Sequence, residues 1–190
     1  MNGNERTDPR PVKSLVVVFS YHHKNTEKIA NIIANVIDAE VKTPQQVTPE
    51  EIAEYDLAGF GSGIYGATFH ASLLDLADRL LQVRGKKAFI FSTYGAPASV
   101  ADRAFVLNNH SQIREKLQAK GYTVTGEFGC AGWNTNSFLK LFGGLNKDRP
   151  NAGDLMNAEA FARELKQLTG LEKKDTSKRC SQNLEPDASI

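Results

Sequence analysis

Val12 to Ser20 (VKSLVVVFS) is an almost unbroken apolar run rich in β-branched residues. Asn25 to Ile37 follows, with Ile29, Ile32, Ile33, Val36 and Ile37 at helical spacing. A segment that is apolar at nearly every position, and not only at alternate ones, reads as a strand buried on both faces. Such a strand belongs inside a parallel sheet, and an amphipathic helix directly after it is what covers one face.

The same alternation continues along the chain. A short strand is expected at Ala39–Lys42, and Thr48-Pro-Glu-Glu starts a short helix with Pro at its first position. Asp56 to Ser62 (DLAGFGS), Lys87 to Thr93 (KAFIFST) and Tyr122 to Cys130 read as further strands. Helices are expected at His70–Val83, stopped near Gly85, at Ala101–Lys120, stopped by Gly121, and at Asp154–Leu168. Asn25 or Thr26 is the expected cap of the first helix, and Asp154 that of the last. The Gly- and Asn-rich stretch 131–153 reads as a loop with one short helix at Phe138–Phe142. The fold class is therefore α/β, a doubly wound parallel sheet with helices on both faces.

The chain has 190 residues, enough for one domain that buries its own core. Residues 1–11 read as a flexible arm, 12–169 as the domain and 170–190 as a polar, mobile tail. A net charge of +1 gives no electrostatic case for nucleic acid or an anionic membrane as the main partner. The polar start of the chain has no apolar core like that of a secretory signal, and the run Leu15–Phe19 is far too short to insert in a membrane. With only Cys130 and Cys180, a disulfide framework and a cysteine metal site are excluded, and a reduced cytoplasmic setting is expected. Cys130, in a strand, is expected to be an inert packing residue.

In doubly wound sheets ligands bind beyond the carboxyl ends of the strands, where strand order reverses. Three loops fall there. The first is Ser20-Tyr21-His22-His23-Lys24-Asn25-Thr26. It leads into a helix N-terminus, whose free N–H groups and partial positive charge suit a phosphate, with Ser20, Asn25 and Thr26 as added donors and Lys24, His22 and His23 as added cationic or donor groups. Equally, these residues serve as cap and turn. The second loop carries Ser62, Gly63, Ile64, Tyr65 and Gly66. An aromatic ring between glycines suits stacking on a planar ligand, or packs on the protein as an ordinary turn. The third, Ser92-Thr93-Tyr94-Gly95, offers hydroxyls, N–H groups and another ring before a helix. Phosphate chemistry on one loop with aromatic and glycine chemistry on two others describes a mononucleotide bearing a planar heterocycle.

SYHHKNTEKIA after the first strand, GSGIYGATFH after the third and FSTYGAP after the fourth together resemble the flavodoxin family over residues 12–169. The resemblance implies a five-stranded sheet of order 2-1-3-4-5 and FMN as cofactor. It places Ser20 through Thr26 around the phosphate, Tyr65 against the isoalloxazine, and Tyr94-Gly95 at its other side or pyrimidine edge. It implies an electron carrier working between a reductase and an acceptor. An FMN-dependent oxidoreductase acting on a quinone, nitro compound or porphyrinogen, and a flavin-free binding module, are the alternatives on the same fold. The Tyr65-Gly66-Ala67 turn would reorient on reduction, a carbonyl accepting from the protonated flavin N5. Two features depart from the family. His23 and Lys24 stand where the usual loop has Gly before Asn or Thr, and the chain is neutral where flavodoxins are acidic.

Overall fold

The computed structural model describes residues 12–21, 23–97, 99, 101–136, 141 and 143–170. His22, most of the helix expected at 138–142, and nearly all of the expected arm and tail lie outside those residues. In chain order the elements are β1 (Ser14–Phe19), α1 (Asn25–Ile37), β2 (Ala39–Lys42), α2 (Pro49–Glu54), β3 (Leu57–Gly63) and α3 (Ala71–Arg79). There follow β4 (Lys87–Tyr94), α4 (Arg103–Asn109), α5 (Ser111–Ala119), β5 (Thr123–Ala131) and α6 (Ala152–Thr169).

The strands form one parallel sheet in the order β2-β1-β3-β4-β5. Alternate residues of each central strand feed opposite cores. Leu15 and Val17 of β1 and Ala88 and Ile90 of β4 pack with Leu73 and Leu76 of α3 and Ile113 and Leu117 of α5. Val16, Val18, Phe89 and Phe91 pack on the other face with Ile29 and Ile33 of α1 and Ala158 and Leu165 of α6. This is why those strands read as continuous apolar runs. On β3 the face toward α1 and α6 carries Leu57, Gly59 and Gly61, and the missing Cβ atoms of the two glycines leave the room that the Phe89 and Phe91 rings occupy.

Several boundaries differ from the sequence reading, each for a physical reason. The cap of α1 is neither Asn25 nor Thr26 but Lys24, in a left-handed conformation without a side-chain cap bond. Asn25 and Thr26 are buried in the first turn, where partners on other elements take their side chains. The single helix expected at Ala101–Lys120 is two, broken at His110. There the side chains of Asn109 and Ser111 bond the carbonyls of Phe105 and Asn108, competing with the helix ladder. α3 stops at Arg79, well before Val83, whose N–H bonds the Lys120 carbonyl instead. Asn151, not Asp154, caps α6, and Asp154 closes a capping box from the N3 position.

Candidate functional site

The chain runs from β1 out to β2 and then back across β1 to β3, so α1 and α3 cover opposite faces of the sheet. Where they part, at the carboxyl ends of β1, β3 and β4, a crevice opens. Its lining comes from all three expected loops: Ser20, Asn25 and Thr26 from the first, Gly63, Ile64 and Tyr65 from the second, Thr93, Tyr94 and Gly95 from the third.

The loops are tied to one another inside this crevice. The Thr26 and Thr93 hydroxyls lie 2.8 Å apart. The Ile64 N–H donates to the Thr93 carbonyl at 2.9 Å. Tyr65 folds its ring back over Gly63. Burial raises the pKa of the Tyr65 phenol, partly offset by a backbone hydrogen bond from Tyr21, so the ring spans the second loop to the first. Gly66 and Ala67 form the tip of the same hairpin, both with positive φ and closed by reciprocal Tyr65–Thr68 backbone bonds. This is a two-residue hairpin turn of the type that requires left-handed backbone.

Two polar atoms at the crevice are buried without a hydrogen-bond partner in the protein, Ser20 Oγ and Asn25 Oδ1. The Nδ2 of Asn25 donates to the Trp133 carbonyl at 2.9 Å, which fixes the amide and turns Oδ1 the other way. Buried polar atoms are nearly always paired. A donor-and-acceptor hydroxyl and an amide oxygen at a helix N-terminus suit a ligand with phosphate oxygens and neighbouring hydroxyl groups. FMN has both, on its ribityl phosphate, so the residues present fit that cofactor.

Other expected site residues sit elsewhere. Tyr21 projects from the surface, 74% exposed. Lys24 pairs with Glu27 at 3.2 Å. Ser62 is fully buried, donating to the Gly63 carbonyl and accepting from the His70 N–H. Gly66 is exposed at its turn, outside the lining. Ser92 faces away from the crevice, its Oγ 2.8 Å from Nε2 of His110. Tyr94, although it lines the crevice, is buried, and its ring meets Phe105 edge-on with centroids 5.2 Å apart.

A fourth wall comes from the loop after β5: Gly132, Trp133, Asn134 and Asn136. Asn134 Nδ2 donates to the Gly95 carbonyl at 3.3 Å, and Trp133 stacks on His23 with centroids 4.0 Å apart. The rule that points to the ends of β1, β3 and β4 points to the end of β5 as well, and an Asn- and Trp-bearing loop there was the available signal. None of the described lining residues is charged at neutral pH. Burial pushes the Cys130 thiol up, in keeping with an inert packing residue.

An uncharacterized protein of Methanocaldococcus jannaschii is 44% identical over 155 residues, covering 81% of this chain and 98% of that one. The chain belongs to the same family as that protein, and its fold is flavodoxin-like. No family model matches the chain. A flavodoxin from the domain Archaea superposes with a TM-score of 0.58 at 18% identity, covering 84% of this chain and 99% of that one. Oxidised flavodoxin 2 from Bacillus cereus does so with a TM-score of 0.60 at 18% identity, covering 83% and 99%. The strand order 2-1-3-4-5 expected from the resemblance is the observed one. Among the described residues, no helix is long and apolar enough to cross a membrane.

Proposed function

We propose that this chain binds FMN and carries electrons between a reductase and an acceptor protein. The observation that carries the reading is the pair of unpartnered buried atoms, Ser20 Oγ and Asn25 Oδ1, at the switch-point crevice. In this reading Ser20 and the N–H groups of the first turn of α1 hold the phosphate. Asn25 Oδ1 accepts from a hydroxyl beside it. Tyr65 offers an apolar ring face to the isoalloxazine, and Ile64 and Trp133 exclude water around it. Bound flavin supplies the redox chemistry, while the protein supplies position and electrostatics.

An uncharged, partly apolar lining disfavours an anionic reduced flavin, because no cation in it offsets the buried charge. A net charge of +1 supports partner choice by local contacts around the crevice, and not by a broad acidic face. The test is an absorbance spectrum of the purified protein with and without added FMN, followed by phosphate analysis of bound flavin. Failure to bind FMN overturns the reading.

One observation favours an FMN-dependent oxidoreductase as the second reading. The ring of Tyr94 packs on Phe105, and at Gly95 the third loop meets Asn134 of the loop after β5, so that side of the crevice offers polar groups to a small planar substrate. Rapid NAD(P)H oxidation without a partner reductase distinguishes the enzyme from the carrier.

A further inference from the structure

The backbone on either side of Tyr65 is pinned. The Ile64 N–H bonds the Thr93 carbonyl, and the Tyr65 and Thr68 backbones bond each other. The Thr68 hydroxyl donates to Gln112 Oε1 on α5 at 2.8 Å. Movement of Tyr65 is therefore rotation of its side chain. That side chain lies back over Gly63: a Cβ added there would stand 3.0 Å from the phenol oxygen and 3.1 Å from two ring carbons. So placed, the ring is part of the crevice wall, and the crevice holds about 80 Å3. Pockets that enclose a drug-sized ligand hold roughly 300–1,000 Å3. The seated ring leaves the crevice narrower than a flavin needs.

Two other rings seat it. Phe19, the last residue of β1, and His70, which precedes α3, stack face to face with centroids 3.6 Å apart and planes 9° from parallel. Tyr65 meets both edge-on, at 5.6 Å from His70 and 6.3 Å from Phe19. Edge-to-face contact is a favoured aromatic geometry. At the far end of the ring the Tyr21 N–H donates to the phenol oxygen.

His70 is also the N-cap of α3. Its Nδ1 accepts from the Ser72 N–H at 3.2 Å, and the Ser72 hydroxyl lies 2.9 Å from the same nitrogen. Its own backbone N–H donates to Ser62 Oγ at 3.1 Å. These bonds fix the imidazole in place and make it a rigid surface. A cap by itself needs only an acceptor, and Ser, Thr, Asp and Asn are the preferred ones. Capping therefore does not account for the flat stack on Phe19 or the edge contact with Tyr65, which a short capping side chain would not make.

We propose that His70 is a positioning residue for the crevice: its ring, backed by Phe19, seats Tyr65 over Gly63 and keeps the crevice narrow until a planar ligand displaces the Tyr65 ring. His70 does not line the crevice and acts through Tyr65, which does. The seat consists of two ring contacts and one hydrogen bond, each modest, so the ring can leave it while the pinned backbone stays where it is. Only the identity of the ligand rests on the flavin reading above; the seat itself is a property of the empty protein.

Two variants separate the ring of His70 from its cap. His70→Asn keeps a capping side chain and loses the ring, whereas His70→Phe keeps a ring and loses the cap. The first measurement is amide exchange of flavin-free protein by NMR, reading the Tyr21 N–H against that of Val17 inside β1, which corrects for any change in global stability. Relative to Val17, the Tyr21 amide should exchange on the order of fivefold faster in His70→Asn than in wild type, and near the wild-type rate in His70→Phe. The second is stopped-flow mixing with FMN, followed by flavin fluorescence. Association should be about fivefold faster in His70→Asn and unchanged in His70→Phe. In a Tyr65→Ala background, which has no ring to seat, His70→Asn should change the association rate no further. Wild-type exchange at Tyr21 in His70→Asn, or His70→Phe as fast as His70→Asn, would reduce His70 to a helix cap and overturn the proposal. So would an undiminished effect of His70→Asn on FMN association in the Tyr65→Ala background. Wild type that does not bind FMN overturns the flavin reading, and the exchange measurement still decides the seat.

Discussion

The hydroxyl of Thr26, in the first turn of α1, lies 2.8 Å from the hydroxyl of Thr93, near the end of β4, and both residues are buried. This one bond joins the first loop of the crevice to the third. Replacing either threonine by valine leaves the other hydroxyl buried without that partner, at a cost of about 1–3 kcal/mol. Urea unfolding of Thr26→Val, Thr93→Val and the double variant should show the double costing less than the sum of the singles. Additive losses would mean that the bond does not couple the two loops.

Ser20 has the opposite balance. Its Oγ is buried with no partner in the protein, so the hydroxyl adds little to stability and is available to a ligand. Ser20→Ala should leave the flavin-free protein as stable as the wild type or up to about 1 kcal/mol more stable, and weaken FMN by about tenfold. Isothermal titration alongside thermal unfolding checks both halves. A stability loss with unchanged FMN affinity would place Ser20 in the scaffold.

Gly66 sits at φ 58° with open space where a Cβ would be. Gly66→Val therefore meets no clash but strains the backbone, with an expected loss of roughly 1–2 kcal/mol. If this turn reorients when bound flavin is reduced, the variant should also shift the reduction potentials in a spectroelectrochemical titration. A stability change with unchanged potentials would show that the turn, exposed and outside the crevice lining, takes no part in the redox step.

Glu127 predicts a window of acid sensitivity. Burial pushes its carboxyl pKa up, but the hydrogen bonds and charges of His110 and Arg114 outweigh burial and bring it down from 4.5 to about 2. A depressed carboxylate pKa contributes stability that is fully present above the unfolded value and is lost as pH falls through the folded one. Unfolding free energy should thus decline between pH 4.5 and about 2, by an amount on the order of 3 kcal/mol. Glu127→Gln, less stable at neutral pH, should lack that part of the decline when urea midpoints are measured across the range. An identical decline in the variant would assign it to other carboxylates.

The architecture was legible in the residues because its signals are local. A β-branched run such as Leu15–Val18 and an isoleucine stripe such as Ile29, Ile33 and Ile37 declare a doubly buried strand and its covering helix within a few positions of themselves. Alternating such pairs, together with the handedness of their crossovers, leads to the doubly wound sheet and puts the first three loops at its carboxyl edge. What the side chains do at that edge depends on partners far away in the chain. Asn25 and Thr26 look like caps until Trp133 and Thr93, 108 and 67 residues on, take their side chains. A helix pattern runs through His110, yet the helix breaks there and the buried ring joins Ser92 to Glu127. Tyr94 reads as a ligand-facing ring until Phe105 covers it. Short-range periodicity decides which faces are apolar, and so the sequence alone settles the layers. Which polar side chains are left free to meet a ligand is decided only when distant strand ends are brought together, because a hydrogen bond to a local backbone group and one to a remote partner are close in energy.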